Sequence, residues 1–155
     1  MCDYSLMMLP NRLAAEGERL MAHRFRSGTT GLVSQRDFTK WKAARPVRLW
    51  QRLKDCFRVE PEPGPVVCIP PGAMLRLEDI TPPLRERFRL KSHETVLFTQ
   101  VSAEACQHRD ALLFGNGRTV LLQLLGEGQV AIVLALSSEP RLRPDQAELA
   151  PMPGL

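Results

Sequence analysis

The chain has 155 residues, of which 44% are hydrophobic and 25% are charged, and its formal net charge is +4. These values are ordinary for one globular domain, and no stretch approaches the ~18 consecutive apolar residues of a membrane span. Four cysteines without a CxxC pair exclude a disulfide scaffold. We therefore expect reduced thiols, no signal peptide and a cytoplasmic location.

The N-terminal part of the sequence is typical of extended chain broken by turns. A first strand is predicted over 5–9, and Glu16-Gly17-Glu18 indicates a turn. Residues 19–26 then alternate in polarity, which predicts a strand with Met21, His23 and Phe25 on one side. A Gly-rich turn at 28–31 leads to a further extended pair of residues, Leu32-Val33.

Residues 35–58 form a basic insert. The segment 36–58 has eight basic and two acidic residues, a charge of +6, which leaves −2 for the rest of the chain. Residues 36–44 are predicted to be helical, and after Pro46 the apolar residues of 47–57 recur at helical spacing. The segment 60–65, Glu-Pro-Glu-Pro-Gly-Pro, is predicted to be a stiff linker.

The second half of the chain indicates strands joined by tight turns. Short strands are predicted at 66–69 and 74–78, whereas 84–90 fits either a strand or a short helix. Four apolar runs then predict an antiparallel meander from 95 to 136, with hairpin turns at Gly115-Asn116-Gly117 and Gly126-Glu127-Gly128. Because the last two runs are apolar on nearly every residue, we expect both faces of those strands to be covered.

These patterns predict a mainly β fold: a small antiparallel sandwich or barrel of about eight strands with a short basic two-helix insert. The single domain is expected to span residues 1–136. The Pro-rich, polar segment 137–155 is typical of a disordered tail.

Cys2 is the residue with the most specific chemistry. If Met1 is removed, the thiol lies beside a free α-amino group, which is a nucleophile with its own base. Met-Cys at the start of a chain resembles the SRAP family, which crosslinks to abasic DNA through an exposed N-terminal cysteine, and class II glutamine amidotransferases, which also begin at cysteine. These two-residue resemblances imply a catalytic Cys2, although Asp3 follows here where those families carry glycine.

A longer resemblance covers the opening Met-Cys-Asp-Tyr-Ser-Leu. The chain is similar to a group of small bacterial proteins with this opening, some of which carry a segment like Val67-Cys68-Ile69-Pro70-Pro71-Gly72. The resemblance implies a bacterial protein and no particular activity. It directs attention to Cys2 and Cys68.

His23 is a candidate base for Cys2, with Cys68 as a thiol neighbour, provided that the groups lie within about 3 Å in the fold. A histidine at the edge of the core is the alternative interpretation. Cys106 and His108 have the ligand types of a zinc site, but their spacing is not that of local ligand pairs. No metal and no cofactor is therefore predicted.

The basic insert is the candidate binding surface. Its candidate residues are Lys40, Trp41, Arg48, Arg52 and Lys54. Cations interleaved with tryptophan suit nucleic acid or an acidic protein, while the alternative is that the tryptophans pack inward and the cations face water. The expected function is a binding or interaction domain; the alternatives are a thiol-dependent enzyme using Cys2 and nucleic-acid binding through the insert.

Overall fold

The computed structural model describes residues 6, 8–44, 61–101 and 108–137. Over these residues the chain is mainly β, as predicted. The elements in chain order are β1 (Asn11–Leu13), β2 (Arg19–Arg24), β3 (Thr30–Ser34), α1 (Gln35–Ala44), β4 (Val66–Cys68), β5 (Met74–Glu78), α2 (Pro82–Phe88), β6 (Glu94–Gln100), β7 (Asp110–Phe114), β8 (Thr119–Leu121) and β9 (Val130–Ala135). The predicted helix over 47–57 and the predicted tail beyond residue 137 lie outside the described residues.

Seven strands form one antiparallel sheet in the order β3-β2-β9-β5-β6-β7-β8, and β1 pairs with β4 in parallel. The predicted meander is correct for β6, β7 and β8 but wrong for its last step, because β9 lies between β2 and β5. The turn before β9 bonds to β2: Ala22 N–H donates to the Gln129 carbonyl at 2.9 Å, and Gly128 N–H donates to the Ala22 carbonyl at 2.8 Å. Long-range pairing therefore replaces the local hairpin.

The two edges of this sheet, β3 and the end of β8, approach each other without joining in a strand ladder. After β8 the chain forms a 3₁₀ turn, Leu122–Leu124, where the sequence predicts a continuing strand. In that turn the Gln123 amide accepts the Thr30 N–H at 2.8 Å and donates to the Thr30 carbonyl at 3.1 Å. The described part of the chain thus fits a sandwich, and its strands do not form a closed barrel.

Two apolar clusters lie on opposite sides of β2. The larger contains Leu20 and Ala22 and is shared with β5 to β9. The smaller cluster is bounded by α1 and consists of Leu6, Phe25, Val33, Phe38, Val66 and Cys68, with Leu9, Met21 and Trp41 at its margin. Since successive strand residues point to opposite faces, the predicted alternation along β2 is what separates the clusters.

Three local predictions change in the structure. The strand expected over 5–9 is absent at Leu6, Met8 and Leu9, where Leu9 N–H instead donates to the Leu6 carbonyl at 3.1 Å. The first strand begins after Pro10, which has no N–H to give to a ladder.

The ambiguous segment 84–90 belongs largely to helix α2, whose prolines at the first two positions are compatible with a helix start. The outer face of β9 is not fully covered, since Leu134 is 44% exposed.

Candidate functional site

His23 lies in β2 between two carboxylates. Its Nδ1 is 2.7 Å from Glu127 Oε1, and its Nε2 is 3.0 Å from Glu62 Oε2. The second oxygen of each carboxylate accepts a backbone N–H, from Arg24 for Glu127 at 2.8 Å and from Arg26 for Glu62 at 3.0 Å. Both carboxylates are therefore fixed in position by the same end of β2.

The imidazole is also enclosed by aromatic rings. Its centroid is 4.9 Å from that of Phe25, 5.0 Å from Trp41 and 6.0 Å from Phe38, each in an edge-to-face arrangement. His23 is 4% exposed. The local chain produces this packing because β2 points His23 and Phe25 toward α1, whose residues Phe38 and Trp41 are nearly one turn apart.

The structure places Leu6 and Cys68 in the same apolar cluster as a ring that contacts His23. That ring is Phe25, and the cluster is the smaller of the two. Cys2 is outside the described residues. The predicted grouping of Cys2, His23 and Cys68 therefore stays a prediction.

Cys68 is not a free thiol in this structure. It is disulfide-bonded, which corrects the expectation of reduced cysteines at this position. The other three cysteines, Cys2, Cys56 and Cys106, lie outside the described residues. A disulfide has no thiolate to offer, so Cys68 in this oxidation state cannot act as a nucleophile or as a metal ligand.

The basic face of α1 borders an open groove of about 670 Å³. Its lining combines charged and small polar side chains: Glu18, Arg19, Ser34, Gln35, Arg36, Thr39, Lys40 and Ala43. Arg36 and Lys40 lie four residues apart and so share one side of the helix. Both are exposed, and neither has an ion pair or hydrogen bond within the described chain.

The other charges of the groove are already paired. Arg19 bonds Glu78 at 2.8 Å and Gln35 at 2.8 Å. Glu18 bonds Arg12, and this hydrogen bond holds the pKa of the Glu18 carboxyl below its usual range while raising the pKa of Arg12. The groove therefore presents the two positive charges of Arg36 and Lys40, which have no ion-pair or hydrogen-bond partner among the described residues.

The predicted binding residues lie in different environments. Lys40 lies in the groove, whereas Trp41 faces the core, where its Nε1–H donates to the Pro61 carbonyl at 2.8 Å. Arg48, Arg52 and Lys54 are outside the described residues. Among the residues described, no three His, Cys, Asp or Glu side chains are grouped so that they could hold a metal ion.

The sequence did not indicate Glu62 and Glu127 as partners of His23. Glu62 lies in a Pro-rich segment and Glu127 in a Gly-flanked turn, so both have the local pattern of solvated surface residues. Their separations from His23 along the chain are 39 and 104 residues. No local spacing signals such a contact, which depends on how β9 pairs with β2.

Comparison of the chain with protein-family models, curated proteins and solved structures finds no match. Neither α1 nor α2, the helices of the described residues, has the length and apolar character needed to cross a bilayer.

Proposed function

We propose that the protein is a binding module that takes up an acidic, extended segment of a partner protein in the groove beside α1. The observation that carries the proposal is the exposed pair Arg36 and Lys40, which line a groove of about 670 Å³ and have no partner in the part of the chain that the structure describes. Groove volumes of about 300–1,000 Å³ are typical of ligand sites, and carboxylates complement exposed cations.

Two features favour an acidic peptide over nucleic acid as the occupant. Trp41 is the aromatic residue of α1 predicted to stack on bases, and its packing against His23 leaves its ring facing the core. Ser34, Gln35 and Thr39 offer hydroxyl and amide groups that suit a peptide backbone.

The expected loss of binding free energy follows from the two groove charges. Exposed ion pairs contribute about 0.2–1 kcal/mol each, so loss of two cations weakens binding by up to about 2 kcal/mol, or about thirtyfold. Because salt screens such charges over about 10 Å at 0.1 M, the effect decreases as ionic strength rises.

The test compares two double variants of equal charge by fluorescence anisotropy with a labelled Glu- and Asp-rich peptide. Arg36→Gln with Lys40→Gln removes the groove cations. Lys42→Gln with Arg85→Gln removes two exposed cations outside the groove lining and serves as the matched control. A single-stranded oligonucleotide of matched charge is the competing probe.

We expect the groove variant to lose peptide binding about five- to thirtyfold while the control changes by less than about twofold. Equal losses in both variants would show that net charge, and not the groove, governs binding. Tighter binding of the oligonucleotide that depends on Arg36 and Lys40 would replace the acidic peptide by nucleic acid as the ligand class.

A thiol-dependent enzyme using Cys2 is the second candidate. It is favoured by the placement of Leu6 in the cluster that contains Phe25, the ring next to His23. Intact-mass measurement of the purified protein tests the first requirement, since a retained Met1 leaves no free α-amino group on Cys2. Where Met1 is absent, alkylation of Cys2 no faster than that of a model aminothiol at about pH 6 would argue against an activated nucleophile.

A further inference from the structure

His23, Glu62 and Glu127 form a cluster of three titratable groups, called here the His23 cluster. Each ring nitrogen of His23 faces one carboxylate oxygen, at 2.7 Å for Glu127 and 3.0 Å for Glu62. The ring is 4% exposed, so its nitrogens depend on the two carboxylates for hydrogen bonds. The proton content of the three groups thus decides whether both contacts are attractive.

Among the described residues, few other charges lie near this cluster. The groups beside the ring are uncharged: Phe25 after β2, Gly31 opposite His23 in β3, and Phe38 and Trp41 of α1. The nearest basic residues along the chain are Arg24 and Arg26, whose backbone N–H groups bond the carboxylates while their side chains face water. Asp37 of α1 lies against Gly64 in the segment that carries Glu62.

Both contacts are hydrogen bonds in two protonation states of equal charge. In one, an imidazolium donates from both nitrogens to two carboxylates. In the other, a neutral imidazole donates to one carboxylate and accepts from the protonated second one. Loss of the shared proton leaves a nitrogen lone pair facing a carboxylate oxygen at 2.7 or 3.0 Å. An unpaired contact of this kind in a buried site is unfavourable.

The two carboxylates differ in how easily each can rotate away from the His23 ring. The Glu127 side chain is 47% exposed, whereas that of Glu62 is 24% exposed. Because Glu127 already lies largely at the surface, its side chain can rotate into water while displacing fewer packed neighbours than that of Glu62. The backbone of the Glu127 turn stays attached to β2 through Gly128 and Gln129, so the side chain can move alone.

We propose that the His23 cluster is a proton-dependent latch, in which loss of the shared proton turns Glu127 out to solvent while Glu62 keeps its bond to His23. The open state then has an Nε2–H imidazole with its Nδ1 lone pair uncovered at the surface of β2. The latch stands independently of the α1 groove and of its ligand. Proton loss from the cluster as pH rises is the event that opens the latch.

The test uses NMR on the whole chain, because each carboxylate has a backbone reporter. The Arg24 N–H donates to Glu127 and the Arg26 N–H donates to Glu62. As pH rises and the cluster loses its shared proton, we expect the Arg24 amide to shift upfield and the Arg26 amide to keep its position. The ¹⁵N shifts of the ring should report the Nε2–H tautomer once that proton is lost, with exposed His93 as the reference histidine.

Two near-isosteric variants complete the test. Glu127→Gln supplies an amide N–H to Nδ1 and an amide oxygen to the Arg24 N–H, so its Arg24 amide should no longer respond to pH. Glu62→Gln should hold Nε2 as an acceptor and switch the neutral ring to the Nδ1–H tautomer.

Three results would overturn the latch. In the folded wild-type protein these are an Arg24 amide that ignores pH, a larger shift at Arg26 than at Arg24, or an Nδ1–H tautomer at high pH. Persistence of the Arg24 shift in Glu127→Gln would equally reject it, because the moving group would then not be the Glu127 carboxylate.

Discussion

Replacing Gln123 by methionine removes both hydrogen bonds between the two edges of the sheet and keeps a side chain of similar length. Gln123 contacts the Thr30 N–H at 2.8 Å and the Thr30 carbonyl at 3.1 Å. Thr30 is 5% exposed, so its backbone groups have little access to water once the amide is gone. The variant therefore tests whether a side chain serves here in place of a strand backbone.

The expected loss of stability follows from the Thr30 N–H and carbonyl, which lose their hydrogen-bond partner. A buried N–H or C=O without a partner costs about 1–3 kcal/mol. Partial burial of Gln123 lets some water reach the site, so we expect the lower part of the summed range, about 2–3 kcal/mol of lost unfolding free energy. For a chain of this size the melting temperature should fall by about 5–10 °C.

Urea unfolding with an unchanged m-value is the primary assay, and hydrogen exchange of the Thr30 amide is the local one. Gln35→Met is the matched control, because Gln35 has one exposed side-chain bond, to Arg19 at 2.8 Å. We expect that control to stay within about 0.5 kcal/mol of the wild type. A Gln123→Met protein as stable as the control, with Thr30 exchange unaltered, would refute the role assigned to Gln123.

Two further predictions concern stability. Glu18→Gln removes the ion pair with Arg12; because Glu18 has a lowered pKa in the folded state, its stabilisation is present above its ordinary value of 4.5 and is lost as pH falls through the folded value. In urea titrations at pH 7 the variant should lose less than about 1 kcal/mol of unfolding free energy, because the Arg12 side chain is 39% exposed and water weakens the pair. This loss should vanish in acid, and a loss independent of pH would contradict the assignment. Gly31→Ala places a methyl group 2.7 Å from Leu6 Cδ1 and 2.9 Å from Phe25 Cε2. It should cost about 1–3 kcal/mol, and adding Leu6→Ala should cost less than the sum of the single changes, whereas strict additivity would count against the clash.

Short-range sequence patterns were sufficient to predict individual elements such as β2, α1 and the turn between β7 and β8. Alternating polarity predicted the two faces of β2, and the local pattern predicted a helix over 36–44, which the structure has as α1 (Gln35–Ala44). Gly115-Asn116-Gly117 predicted the turn between β7 and β8, with Gly117 at a φ of 79°. These features depend on backbone geometry within a few residues, which the local sequence specifies.

The tertiary structure decided which elements became neighbours and thereby formed the site. Gly126-Glu127-Gly128 has the local pattern of a hairpin turn, yet β9 pairs with β2 and β5, since a strand that is apolar on both faces gains more from a central position in the sheet. That pairing brings Glu127 to His23. The sequence by itself determined where strands, turns and α1 form, because their periods are local. The tertiary structure alone placed the partners of His23, because contacts across 39 and 104 residues are selected by burial of the whole sheet.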